Sequence, residues 1–325
     1  MGITGITPKK SLRRKVTNMS VKFDDKVAIV TGGGIGLGRE HALGLSKRGA
    51  KVVVNDLGVS QYGEGGSSTA AQSVVSEIIA MGGEALAHGA DVSDELQVKD
   101  MVQKTMDKWG RIDILINNAG ILRDKTFSKM TLDDFKKVVD VHLFGTATVT
   151  HAVWPIMRKQ SYGRIVLTSS SSGLYGNFGQ SNYGAAKTAM VGLMNVLHHE
   201  GARDDIRVNI LAPTATTRMT EELFSPEVGE LLDPATITPG VLYLVSENAP
   251  SRVILCAGGG SFAQTRIYET KGITLAGEDI TPENVEMHWE QITDPAEQEM
   301  LNQAFEQTGK YAKNAAEKAG IKLEK

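Results

Sequence analysis

The strongest constraint on this chain is a rhythm that begins at Lys26 and runs to Cys256. Short runs rich in β-branched residues alternate there with longer stretches carrying helix signals. Strands are expected at 26–31, 51–55, 85–90, 112–117, 164–169, 207–212 and 253–256. These runs are almost continuously apolar, which suits parallel strands covered on both faces better than strands with one face in water. Between them, Thr131 followed by Asp134 reads as a capping box opening a helix toward Met157, and Ser93 followed by two acids opens another. Strand–helix alternation of this length predicts an α/β fold, a doubly wound parallel sheet of about seven strands.

Composition narrows the function classes. A chain of 325 residues with 41% hydrophobic residues can bury a full core. No apolar run approaches the roughly 18 residues needed to cross a bilayer, so no membrane partner is expected. The single cysteine, Cys256, cannot form an internal disulfide or a cysteine-based zinc site, which points to a reducing, cytoplasmic setting. His198, His199 and Glu200 are adjacent on a helix and diverge, so no metal is expected. Residues 1–22 hold six basic groups and no acid, leaving 29 basic against 38 acidic groups, a net of −9, on the remainder. A body of that sign offers no nucleic-acid footprint. The arm at 1–22 lacks an apolar segment, so it is read as a disordered basic arm and not as a secretory signal.

The first strand runs straight into Thr31-Gly-Gly-Gly-Ile-Gly-Leu-Gly38, with helix signals behind it. Glycines let the backbone turn tightly and approach a pyrophosphate, while the helix N-terminus supplies amide donors and partial positive charge. Gly32, Gly36, Leu37 and Gly38 are therefore candidate cofactor contacts. An acid at the end of the next strand, Asp56, lies 18 residues past Gly38. A carboxylate there can accept from both ribose hydroxyls of NAD and repels the 2′-phosphate of NADP. The Gly/Ser-rich stretch 58–68 follows it and is expected to be a flexible loop at the ligand edge. Residues 23–262 are accordingly assigned as a Rossmann-type dinucleotide-binding catalytic domain. Past Gly260 the rhythm stops: residues 272–309 contain nine acids and no Lys or Arg, with helix starts at Thr281-Pro282 and Asp294-Pro295. Residues 263–325 are expected to form a helical extension.

Tyr183 and Lys187 stand four apart on an expected helix and share one face, and Ser170 lies thirteen residues upstream at the end of the fifth strand. Together with Thr31–Gly38, Asp91-Val92 and Asn117-Asn-Ala-Gly120, in this order and spacing, they resemble the short-chain dehydrogenase/reductase family. The resemblance implies oxidation of an alcohol by NAD, with Tyr183 as the proton-transferring group and Ser170 as hydrogen-bond donor to the reacting oxygen. It also implies that Lys187 holds the nicotinamide ribose, that Asp91 and Val92 lie at the adenine, and that Asn118, Ala119 and Gly120 flank the cofactor. Asn117 is expected to brace the sheet beside it. A phenol has a pKa of about 10 and is a poor base at neutral pH, but a neighbouring ammonium is expected to bring Tyr183 down.

Two positions depart from the family pattern. His142 stands where an Asn on the helix after the fourth strand usually anchors a water relay; it either keeps that relay or is a core histidine. Pro213 is followed by Thr214 where Gly is usual, with Thr216, Thr217 and Arg218 behind it as hydroxyls and a cation near the nicotinamide. Val141-His-Leu143, Leu174-Tyr-Gly-Asn-Phe-Gly-Gln180 and Thr281-Pro-Glu-Asn284 resemble one branch, the (3R)-hydroxyacyl-CoA dehydrogenase units of peroxisomal multifunctional enzymes of type 2, here in a stand-alone form. The branch implies (3R)-3-hydroxyacyl-CoA as substrate and a homodimer, or a tetramer. Rival readings are a hydroxysteroid dehydrogenase, a 3-oxoacyl carrier-protein reductase, and an NAD-binding regulator without turnover.

Overall fold

In the computed structural model, which describes residues 21–67 and 69–323, each apolar run becomes a strand. These are β1 (Val27–Thr31), β2 (Lys51–Asn55), β3 (Ala85–His88), β4 (Ile114–Asn117), β5 (Gly163–Thr168), β6 (Ile206–Pro213) and β7 (Ile254–Gly258). They pair in parallel, with Ala28 opposite both Val52 and Ile114. Among the described residues an eighth strand, β8 (Ser261–Thr265), completes the order β3-β2-β1-β4-β5-β6-β7-β8. The expectation of about seven strands omits β8 because Ser261–Thr265 is polar and mostly exposed. It arises from the turn, where Gly259 and Gly260 both take positive φ, 53° and 74°, and fold the chain back on β7. The basic arm expected over 1–22 lies outside the described residues apart from Val21 and Lys22.

The helices are α1 (Gly36–Ser46), α2 (Thr69–Ala80), α3 (Glu95–Trp109), α4 (Leu132–Val139), α5 (Gly145–Gln160), α6 (Ser171–Tyr175), α7 (Ser181–Gly201), α8 (Pro226–Leu231) and α9 (Thr238–Leu244), followed by α10 (Pro282–Met287), α11 (Trp289–Thr293) and α12 (Ala304–Ala319). Successive strand residues point to opposite faces, so β1 feeds two cores. Ala28 and Val30 pack with Leu43 and Leu45 of α1, Val74 and Ile78 of α2 and Val241 of α9. Ile29 packs on the other face with Met101 of α3, Val153 of α5 and Met190 of α7. Two boundaries differ from expectation. The cap of α3 is Asp94, whose carboxylate accepts from Leu96 N and Gln97 N, while the Ser93 hydroxyl is spent on Asp91. Thr131 does cap α4, but the helix toward Met157 is interrupted by a π-helical turn over Asp140–Phe144 before α5 resumes it.

At the N-terminal end of the sheet two charges are buried. Asp113, between β1 and β4, accepts from Val27 N at 2.9 Å and from Arg111 Nε at 2.8 Å. The Arg164 side chain has no solvent exposure and donates to the carbonyls of Gly163, Asp205, Ser246 and Glu247 and to the Asp205 carboxylate. The chain divides into two compact units, Met1–Ala263 and Gln264–Lys325. Within the second, Thr281 caps α10 by accepting from Asn284 N, and Lys310 pairs with Glu269 and Glu299 at 3.0 Å each. Asp294-Pro295 opens only a single 3-10 turn, not a full helix.

Removing the guanidinium orphans those carbonyls and leaves the buried strand end unbonded. Arg164→Ala is expected to cost about 3–5 kcal/mol, read as a lower urea midpoint at unchanged slope, and Arg164→Lys should recover only part, since one ammonium cannot reach that many acceptors. A loss below about 1 kcal/mol for Arg164→Ala sinks the argument.

Candidate active site

The strand order reverses between β1 and β4, and the loops leaving their C-terminal ends diverge there. Such a switch point leaves a crevice outside the sheet edge. A cavity of about 360 Å³ occupies it, lined by Gly32, Gly36 and Leu37 from the first loop and Asp56 from the second. Asp91, Val92, Asn118, Ala119 and Gly120 supply the far wall. Gly38 does not line the cavity; a Cβ there would stand 2.1 Å from Gly32 O, so its role is to let α1 sit under the loop. Gly32 has φ +60°, and a Cβ on it would meet the Ala119 backbone at 2.8 Å.

These surroundings fit a dinucleotide. No side chain caps the start of α1 at Ile35 and no acid lies in its first turn, so its backbone amides remain for a pyrophosphate. Asp56 is locked in place, Oδ2 accepting from Gly34 N and Oδ1 from Gly58 N, both at 2.8 Å. A carboxylate has lone pairs left over for ribose hydroxyls. Asn118 Nδ2 ties the two glycine-bearing loops by donating to Gly32 O at 3.0 Å. Asn117 donates to Thr150 Oγ1 at 3.0 Å, bracing β4 against α5 as expected.

The loop after β2 reaches the cavity through Leu57, Val59, Gly63 and Gly65. It is anchored where a free loop was expected: Arg218 Nη2 donates to Val59 O at 3.0 Å, Leu122 N to Gln61 O at 2.8 Å, and Arg123 Nε to Tyr62 O at 3.2 Å. Sequence reasoning also passes over Lys137 and Val141, which line the cavity from α4 and the π turn. Their only signal is a position one helical turn apart on the helix that passes beneath the site.

Ser170, Tyr183, Lys187, Pro213 and Thr216 lie outside this cavity, but they adjoin it. Thr217, next to Thr216, lines the cavity, and the Thr216 hydroxyl is buried with no hydrogen-bond partner among the described residues. Pro213 ends β6 and pairs with Ala257. Within the serine run the structure separates roles. Ser169 Oγ donates to Lys187 O at 2.7 Å, while Ser170 caps α6 and its side chain acts to lower the Tyr183 phenol.

The electrostatics depart from expectation. The Tyr183 phenol is pushed up to about 12, chiefly by burial, with the Ser170 bond opposing and the Asp124 charge adding to the rise. Lys187 does not offset this because burial brings it down to about 7, and its Nζ donates to Thr168 O at 2.6 Å, 5.6 Å from the Tyr183 ring centre. His142 is buried at 3% exposure in the π turn, edge-on to the Tyr183 ring at 5.2 Å. Its Nε2 lies 2.8 Å from Ile121 O and 3.2 Å from Ile121 N, and its buried Nδ1 has no hydrogen-bond partner among the described residues. Burial, then the Lys187 charge, holds it well below the ordinary histidine value, so it is neutral.

A short chain dehydrogenase family model matches residues 26–227, and the chain belongs to that family, whose members are oxidoreductases using NAD or NADP. It is similar to peroxisomal multifunctional enzyme A of Dictyostelium discoideum, 47% identical over 275 residues, 84% of this chain and 61% of that protein. The chain therefore spans less than two thirds of that relative's length. A putative short-chain type dehydrogenase/reductase of Mycobacterium tuberculosis is 45% identical over 273 residues, 83% of this chain and 94% of that one. The structure of full-length peroxisomal multifunctional enzyme type 2 from Drosophila melanogaster superposes with TM-score 0.76 at 37% identity, covering 90% of this chain and 50% of that chain. Among the described residues no helix is long and apolar enough to cross a membrane.

Two outcomes follow from this geometry. Gly38→Ala forces the Gly32 carbonyl to move, and NADH affinity, titrated by its fluorescence, should fall at least tenfold; unchanged affinity contradicts the cradle. Lys187 has a folded value below its unfolded one, so between pH 7 and 10.5 the unfolded chain binds the extra proton and wild-type stability rises with pH. The penalty for burying the charge is complete below about pH 7. Lys187→Met should therefore stabilise most at or below pH 7, by about 1–2 kcal/mol, with the gain shrinking toward pH 10 in melts across that range.

Proposed function

We propose that this chain is an NAD-dependent dehydrogenase interconverting (3R)-3-hydroxyacyl-CoA and 3-oxoacyl-CoA. The observation that carries the chemistry is that Tyr183 and Lys187 share α7, the ammonium 5.6 Å from the phenol ring centre, with Ser170 acting on the phenol beside a dinucleotide cavity. Asp56 at the cavity's ribose end supports NAD over NADP, since its fixed carboxylate repels a 2′-phosphate. The (3R)-hydroxyacyl-CoA assignment rests on likeness to multifunctional enzymes of type 2, and it points to fatty-acid metabolism.

When bound, the nicotinamide supplies the two-electron acceptor for the carbinol carbon. Everything else falls to the chain. Ser170 donates to the reacting oxygen and stabilises charge as it develops. Tyr183 takes the hydroxyl proton in oxidation and returns it in reduction. A phenol at about 12 is a strong base once ionised but is rarely ionised at neutral pH. Positive charge brought by the oxidised cofactor, together with the remaining charge on Lys187, lowers that barrier only in the assembled complex. His142 holds the Tyr183 ring edge through its tether to Ile121 and acts as a positioning residue. Pro213 and Thr216 stand at the nicotinamide end.

The test is NADH formation from matched (3R)- and (3S)-hydroxyacyl-CoA, with NADP and a steroid alcohol in parallel. Turnover of the 3R form with NAD is the expected result. Turnover of a steroid alone removes the substrate assignment but leaves the chemistry. Tyr183→Phe should lose about 10²–10⁴ in rate while still binding NADH; unchanged turnover overturns the mechanism.

A further inference from the structure

The loop after β4 and the start of α7 are tied together beside Tyr183. Lys125 and Gln180 form a parallel bridge pair, and Asn182 Nδ2 donates to Arg123 O at 3.0 Å while its Oδ1 accepts from Tyr183 N at 2.7 Å. Gln180 Nε2 donates to Asp124 Oδ2 at 2.5 Å. Asp124 is thereby held against the first turn of the helix that presents the phenol. Two cations flank it in sequence, and neither serves it. Arg123 Nη1 and Lys125 Nζ both go to Asp134, at 2.9 and 3.3 Å. Among the described residues no cation pairs with Asp124.

We propose that Asp124 is a specificity residue whose uncompensated carboxylate repels substrates bearing a carboxylate near the reacting carbon, reserving the site for esters and thioesters over free 3-hydroxy acids. This deepens the dehydrogenase reading above and rests on it. Gln180, which holds Asp124, is the residue before α7 and stands three positions ahead of Tyr183, so carboxylate and phenol share that end of the helix, and the charge adds to the rise of the phenol. Solvent reaches Asp124, while the loops crowd it enough that burial raises its carboxyl, with the Gln180 bond opposing. That bond favours the ionised form of the carboxylate. The other groups facing Tyr183 do not cancel it. His142 is neutral, Ser170 is uncharged, and Lys187 loses its proton as pH rises through about 7. Like charges brought together at a protein surface repel more than in bulk solvent. A thioester presents no charge at that carbon, and the phosphates of a CoA lie at the far end of the molecule.

The experiment uses acetoacetate and methyl acetoacetate as probes, titrated by calorimetry at pH 8 into the wild-type and Asp124→Asn proteins saturated with NAD, which cannot reduce them. The expected result is ester preference in the wild type, and an acid-to-ester affinity ratio about tenfold higher in Asp124→Asn, with the gain shrinking at high salt. An unchanged ratio overturns the proposal, as does failure of both probes to bind either form. Equal loss of both probes in Asp124→Asn, with NAD still bound, makes Asp124 a support for the start of α7 and also overturns it. Turnover of methyl (3R)-3-hydroxybutyrate by the wild type is measured separately. Its absence counts against the dehydrogenase reading, whereas the binding ratio speaks only to Asp124.

Discussion

The join between β1 and β4 is the constraint on which the site depends. At its lower end the Asp113 carboxylate holds Val27 N, and at its upper end Thr31 Oγ1 accepts from Asn118 N at 3.0 Å and Ala119 N at 3.2 Å. Between them Ala28 to Thr31 lie in register with Ile114 to Asn117. With both strands pinned, their following loops must part in opposite directions, and the amides at the start of α1 are left facing a crevice. Burial drives the strands together, but it carries no information on register. The polar ties at either end supply it, because a slip would leave a buried carboxylate or hydroxyl unpartnered.

Beyond the crevice, the structure stores its reactivity in buried titratable groups. Lys187 and Tyr183 share one face of α7, yet neither settles the other's charge: the ammonium is aimed at Thr168 O, and the phenol at Ser170. Both are therefore shifted toward their neutral forms by desolvation. A site arranged this way is quiet alone and becomes basic when a ligand brings positive charge. The π turn at Asp140–Phe144 contributes by rotating His142 inward, where a regular helix between α4 and α5 would place it elsewhere.

Much of the fold was legible from apolar runs, since parallel strands covered on both faces are apolar at most positions. Thr131 was legible as a cap, and Ser93 misled because Asp94 beside it has the stronger acceptor and takes Leu96 N and Gln97 N. β8 was invisible because its formation depends on two glycines turning the chain, not on its own residues. At the site, the glycine run, Asp56 and the Ser170, Tyr183, Lys187 set were readable as types and spacings. Gly38 was placed among the contacts, whereas its lack of a side chain serves helix packing.

The sequence by itself determined the strands of the sheet, the crevice where the strand order reverses and the residue types around it, because periodicity and glycine placement act locally along the chain. Only the tertiary structure decided which serine of the run meets Tyr183, that Asp134 draws off both cations beside Asp124, and that Lys187 is held near neutrality. Each of those depends on which groups are brought within a few ångströms and shut away from water, and no spacing along the chain contains that distance.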